Sequence, residues 1–218
     1  MRVRITFAKR PEMRFIGHLD LHRAWERTMR RAGLPLAYSQ GFRPHPRINL
    51  GCALPLGFTS RDEVVDIWLE QTLPLDEIVT ALHGALPPGI QFLDLESIDD
   101  KEPTLQTQLL AAEYLITLLE AIPELDARLE QVCQSGSLLR QRRGKTYDLR
   151  PLIIELRRLA DDESGQQSLV AVLSARESAT GRPEEVILAL GGEPTLARVQ
   201  RTRLIFSDPA VIQSQAPT

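Results

Sequence analysis

Residues 17–57 read GHLDLHRAWERTMRRAGLPLAYSQGFRPHPRINLGCALPLG, a helix, a loop and a strand in succession. At about 100° per residue, Leu21, Trp25, Met29 and Ala32 fall on one side of a helix over 18–32, while Arg23, Arg27, Arg30 and Arg31 fall on the other. Gly33 is a suitable stop and Pro35 prevents continuation. Gly41, Pro44 and Pro46 make 40–46 a loop, after which 47–54 and 63–70 read as two strands joined by a turn through Pro55, Gly57, Thr59 and Ser60.

Working outward, Val3, Ile5 and Phe7 alternate with Arg2, Arg4 and Thr6, which predicts a half-buried strand over 2–8. Pro74 opens a helix over 75–86, Pro87, Pro88 and Gly89 end it, and Ile90, Phe92, Leu93 and Leu95 form a further strand. The order β-α-β-β-α-β is the ferredoxin-like, split βαβ arrangement. Residues 97–108 are acidic and polar, as a linker would be.

Beyond the linker the pattern restarts without sequence identity. Residues 111–119 read as a strand, with a helix as the alternative because Leu and Ala dominate. A helix over 123–132, a basic hairpin over 140–150 and an extended piece over 152–159 follow. A turn over 161–167, a strand over 169–174, a helix over 184–190 and a strand over 198–206 complete the set. The expected architecture is α+β: two tandem ferredoxin-like units, 1–98 and 109–208, with a disordered tail at 209–218.

The net charge of −3 conceals an asymmetry. Residues 1–50 hold eleven Lys and Arg against three acids, a net of +8, which leaves −11 for the remainder. A basic quarter in an acidic chain suggests a localised anionic partner, with RNA the first candidate. Cys52 and Cys133 form no CxxC or CxxxCxxC spacing, which argues against a disulfide scaffold or a Cys-ligated metal and suggests two buried thiols. No apolar run approaches the about 18–20 residues of a membrane span, so a soluble, cytoplasmic location without membrane contact is expected. No cofactor motif is present, and none is expected.

Four groups of residues carry possible chemistry. The helix arginines Arg23, Arg27 and Arg30, with Arg2, Arg4, Arg14, Arg43 and Arg47 around them, make a field for phosphates, or else a solvated face with Glu26 paired to Arg30. Tyr38, Phe42 and His45 are flat groups in a Gly/Pro-stiffened loop, able to stack on bases beside Arg43 and Arg47; the alternative is a connector whose Phe plugs a core. His18 and His22, four apart, share a helix face with Glu26; they and His45 are weak catalytic candidates, and no metal site is expected. Arg140, Arg142, Arg143, Lys145 and Arg150 against Asp148 give a second, smaller basic patch near Tyr147, with Arg142, Arg143 and Lys145 its candidate substrate contacts.

Residues 14–66 resemble the bacterial radical SAM-linked proteins, a family of unknown function. The resemblance runs through Arg14-Phe15, His18-Leu19-Asp20, Arg31-Ala32-Gly33-Leu34-Pro35, Tyr38-Ser39, Gly41-Phe42, Pro44 and Pro46. It continues through Ala53-Leu54-Pro55-Leu56-Gly57, Ser60, Glu63 and Asp66, and more loosely through Tyr147 to Pro151. Gly17 departs from it, standing where the family often has Ser before His-Leu-Asp; that removes a side-chain cap worth about 1 kcal/mol. The resemblance implies a partner, encoded beside or fused to a radical SAM enzyme with a cobalamin-binding-type region. The missing CxxxCxxC agrees that this chain does not generate the radical. The tandem pattern is also similar, at fold level, to CRISPR repeat-associated RNA endonucleases. The leading expectation is an accessory subunit without catalysis of its own that binds or presents RNA. The rivals are a metal-independent RNA endonuclease and a purely protein-docking subunit.

Overall fold

The computed structural model describes residues 1–142, 144–161 and 165–207. Unit 1 spans Met1–Gln108 and unit 2 begins at Leu109.

Unit 1 contains β1 (Arg2–Lys9), α1 (His18–Arg31), β2 (Ile48–Leu50), β3 (Thr59–Ser60), β4 (Glu63–Trp68), α2 (Leu75–His83), β5 (Ile90–Ile98) and the single turn α3 (Leu105–Gln108). Its four-stranded sheet has the order β2-β4-β1-β5, and β1 is antiparallel to both neighbours. Each helix therefore links two strands that lie on either side of a third, as a split βαβ unit requires. The apolar stripe of α1 closes the core: Leu21, Trp25 and Met29 are buried with Ile5, Phe7 and Ile67. Trp25 meets Phe7 edge-on, ring centres 4.9 Å apart. Each such side chain contributes about 1.5–3 kcal/mol on burial. Gly17 caps α1 in an extended conformation without a side-chain bond, so the departure from Ser has the expected local consequence.

The alternating pattern is misleading at β1 and β4. Arg2, Asp66 and Glu63 are as buried as the apolar residues between them. Arg4 stands opposite Asp66 in the register, and both Arg2 and Arg4 close on the Asp66 carboxylate. Arg2 also donates to the carbonyls of Glu102 and Pro103. Gln106 and Asn49 exchange side-chain bonds, and Leu105 is fully buried. The polar stretch 97–108 is thus held on unit 1 rather than loosely linking it.

Unit 2 contains β6 (Leu109–Leu118), α4 (Leu125–Gln134), β7 (Leu139–Arg142), β8 (Lys145–Asp148), β9 (Ile153–Arg158), β10 (Ser168–Arg176), β11 (Ala179–Thr180), α5 (Pro183–Ala189) and β12 (Ala197–Phe206). Residues 109–118 are a strand with alternating burial, which settles the ambiguity there in favour of the strand. β6 lies between β12 and β10, and β9 and β11 both pair with β10. With the β7–β8 hairpin set aside as an insertion, this arrangement repeats that of unit 1 and is compatible with the ferredoxin-like reading. Both units are α+β.

One expectation needs correction, and others fall on residues outside those described. Cys52 is half-buried and Cys133 exposed, so the thiols are not core residues. The proposed tail, part of the 161–167 turn, and Arg143 lie outside the described residues.

Candidate nucleic-acid interface

The loop between α1 and β2 has a fixed base and a projecting tip. The Ala37 amide donates to the Trp68 carbonyl (2.8 Å), the Arg47 amide to the Ala37 carbonyl (2.8 Å), and the Trp68 amide to the Arg47 carbonyl (3.1 Å). The two limbs are thereby sewn to the end of β4. Higher up, the Ser39 amide donates to the His45 carbonyl (2.8 Å) and the His45 amide to Ser39 Oγ (3.0 Å). Gly41 turns the chain at φ +132°, a conformation L side chains rarely adopt. Phe42 follows and is wholly exposed, at 109% of its reference area. It plugs no core, so the connector reading of Phe42 does not hold. Arg43 and His45 are exposed beside it, and Tyr38 is 38% exposed. Arg47 lies over the Trp68 ring at 4.6 Å, with Arg2 also over that ring at 5.1 Å.

Arg23, Arg27 and Arg30 are exposed along α1. Arg23 bonds Asp20 at 3.0 Å, Arg30 bonds Glu26 at 2.8 Å, and Arg27 Nε donates to the Arg23 carbonyl at 3.3 Å. Exposed pairs of this kind are worth about 0–1 kcal/mol, so a phosphate can displace them at little cost. His22 Nε2 lies 3.2 Å from the Ile48 carbonyl. That bond ties α1 to β2, the edge strand into which the loop runs.

Arg2 and Arg4 do not join the exposed field. A buried guanidinium needs a counter-charge, and Asp66 supplies it for both. Arg14 is committed as well: its Nε donates to the Gly57 carbonyl (2.8 Å), its guanidinium covers the Phe15 ring at 5.3 Å, and the Gly57 amide donates to the Arg14 carbonyl (2.9 Å). The Arg14-Phe15 and Ala53–Gly57 pieces of the sequence motif are therefore stitched to each other. Flanking this stitch, Phe15, Leu19 and Leu56 are 76%, 72% and 63% exposed. Sequence reading overlooked them, although Leu19 already falls off the Leu21–Trp25–Met29 stripe on the helical wheel, about 120° from Trp25.

Of the histidines, His22 holds α1 to β2, His18 is half-buried at the first position of α1, and His45 is exposed. Among the described residues, no group of three or more His, Cys, Asp or Glu is arranged to hold a metal, and no helix is long and apolar enough to cross a membrane.

In unit 2, Arg142 and Lys145 face each other across β7 and β8, and Arg140 faces Tyr147. Asp148 is occupied, its Oδ1 accepting from the amides of Leu138 (2.7 Å) and Arg150 (2.9 Å). Those two amides hold the Asp148 carboxyl below its ordinary value. Arg182, which sequence reading did not connect with this patch, joins Arg142 and Lys145 around one cavity.

The fold and these surfaces define a two-unit α+β protein with an aromatic-tipped, arginine-bearing face. The chain belongs to the bacterial family described as "Uncharacterized protein conserved in bacteria (DUF2344)", whose model matches residues 2–183. No curated protein sequence matches it. Among solved structures it is similar to a Cbf5-Nop10-Gar1 complex, at 16% identity, a TM-score of 0.49, and coverage of 93% of this chain and 48% of that one. It is also similar to the archaeal box H/ACA sRNP Nop10-Cbf5 complex, at 15% identity, a TM-score of 0.45, and coverage of 92% and 47%. The chain spans about half the length of the solved chains it matches.

Proposed function

We propose that this chain is an accessory subunit that binds single-stranded RNA through unit 1 and presents it to a radical SAM enzyme. The observation that carries the RNA half is Phe42, held clear of the protein on a hydrogen-bonded loop with Arg43, His45 and Arg47 beside it. An exposed ring on a stiff support is a stacking platform, and the neighbouring cations follow the backbone. Arg23, Arg27 and Arg30 extend that track. The radical SAM half is supported by the resemblance of residues 14–66. The exposed Phe15 and Leu56, next in sequence to the mutually bonded Arg14 and Gly57, favour a docking role as well, with the exposed Leu19 on the following helix, since neighbouring exposed apolar side chains mark contact surfaces. The endonuclease alternative draws less support, because His22 is engaged by a backbone carbonyl.

Fluorescence anisotropy with a labelled single-stranded RNA across a salt series tests the RNA half. Reversing Arg23, Arg27 and Arg30 to Glu removes three phosphate contacts. The slope of log K against log salt should then flatten by about 2, at about 0.7 per phosphate. Absence of salt-dependent binding by the unaltered chain would remove RNA from the account. Co-purification of the radical SAM enzyme, lost on Phe15→Ser with Leu19→Ser but retained on the arginine reversal, tests the docking half.

A further inference from the structure

We propose that unit 2 holds a separate anion site, for a phosphate monoester of mononucleotide size, in the cavity between the β7–β8 hairpin and residues 178–182. The cavity measures about 490 Å³, within the range of small-molecule sites, and Arg142, Lys145, Tyr147, Leu152, Thr180 and Arg182 are among its lining residues.

Three features make it a site for an anion. Arg142 and Lys145 are directly opposed in the hairpin register. Like charges so placed repel each other unless an anion lies between them. Arg182 brings a third cation from the segment leading into α5. The lining carboxylate, Asp148, is turned to the backbone amides of Leu138 and Arg150. Glu185 acts on the Tyr147 hydroxyl, but Arg140, Arg142 and Arg182 oppose it there.

The second feature is unspent hydrogen-bonding capacity. The Tyr147 hydroxyl and Arg140 Nε are buried, and among the described residues neither has a hydrogen-bond partner. Buried polar groups ordinarily find one. Burial and the Glu185 carboxylate hold the Tyr147 hydroxyl above its ordinary value, which keeps it a donor.

The third feature is a preformed wall. Gly181 lies so close to Leu152 that a Cβ there would stand 3.0 Å from the Leu152 carbonyl oxygen. The Gly181 amide donates to the Ser174 carbonyl (2.8 Å), and Ser174 Oγ donates to the Ala179 carbonyl (2.5 Å). The segment that presents Thr180 and Arg182 is thus fixed in place. The phosphate takes the three cations and the tyrosine hydroxyl, and Leu152 and Ala179 face the organic part. This site involves none of the residues assigned to RNA binding in unit 1.

Calorimetric titration of the full chain tests it, with four probes: adenosine 5′-monophosphate, adenosine, and a short oligoribonucleotide with and without a 5′-phosphate. Phosphate-dependent binding is expected, with adenosine at least about tenfold weaker than its monophosphate. Tyr147→Phe should weaken binding about tenfold while leaving the urea midpoint unchanged or higher, because no internal bond is lost. Arg182→Gln should weaken it by a similar factor, and Phe42→Ala should leave monophosphate binding unchanged. Tighter binding of the phosphorylated oligonucleotide than of the monophosphate assigns the site to a strand end. Equal affinities assign it to the free nucleotide. Affinities that ignore the phosphate, or that survive both Tyr147→Phe and Arg182→Gln, overturn the proposal.

Discussion

Replacing Asp66 with Ala removes the one carboxylate shared by two guanidiniums inside unit 1. Asp66 is fully buried and accepts from Arg2 Nε (3.1 Å) and Nη2 (2.5 Å) and from Arg4 Nε (2.8 Å) and Nη2 (3.1 Å). Arg2 is itself only 2% exposed and is held by the Glu102 and Pro103 carbonyls, so it cannot swing into water. Breaking a buried pair by removing one partner costs about 3–5 kcal/mol, a large share of the about 5–15 kcal/mol that keeps a domain folded. With a urea dependence of about 1–3 kcal/mol per molar, the unfolding midpoint of unit 1 should fall by at least about 1 M. The assay is selective, because both tryptophans, Trp25 and Trp68, lie in unit 1 and their fluorescence follows that unit alone. The triple variant Arg2→Met, Arg4→Met, Asp66→Leu should recover much of the loss, since apolar side chains replace all three ions and no charge is orphaned. A midpoint for Asp66→Ala within about 0.2 M of the unaltered chain, a threshold of about 0.5 kcal/mol, would show that Asp66 is not needed to hold the two guanidiniums in the folded unit.

Two further outcomes follow from local geometry. Gly89 has φ +90° and a Cβ there would stand 2.7 Å from Met13 Cγ, so Gly89→Ala should destabilise unit 1 by about 1–3 kcal/mol in the same fluorescence assay. Asp148 titrates below its ordinary value in the folded chain because the Leu138 and Arg150 amides bond its charged form. Its contribution is complete above about pH 4, and it is lost as pH falls through the lower folded value, where the proton enters the folded state too. Asp148→Asn should therefore flatten the acid limb of stability, as circular dichroism melts between pH 7 and pH 3 would read it.

The element order was legible because hydrophobic periodicity and Gly/Pro punctuation are local signals. Trp25 and Met29 on one face of α1, and Pro87-Pro88-Gly89 after α2, declare themselves within a few residues. The fate of Arg2 was not legible. Alternation in β1 places it on a polar face, and only the pairing with β4 and the return of residues 102–103 show that this face is covered. A charge on a strand is read as exposed until its counter-charge, 64 residues away, is placed beside it. The same reason hid Arg182 from the hairpin patch, since it follows Asp148 by 34 residues, with β9, β10 and β11 between them. Phe42 was half legible: composition marked the loop as stiff and aromatic, but whether the ring faced the core or water depended on where the limbs were anchored. The bonds from Ala37 and Arg47 to Trp68 decide that.

RNA binding by unit 1 depends on the Phe42 ring. The most direct test is the dissociation constant for single-stranded RNA of the unaltered chain and of Phe42→Ala, measured by anisotropy at one fixed low salt concentration. Loss of a stacked base costs about 1–3 kcal/mol, so Kd should rise roughly 5- to 150-fold. The urea midpoint should stay the same, because the ring touches no core. A Kd unchanged by Phe42→Ala, or no RNA binding by either protein, would contradict the account.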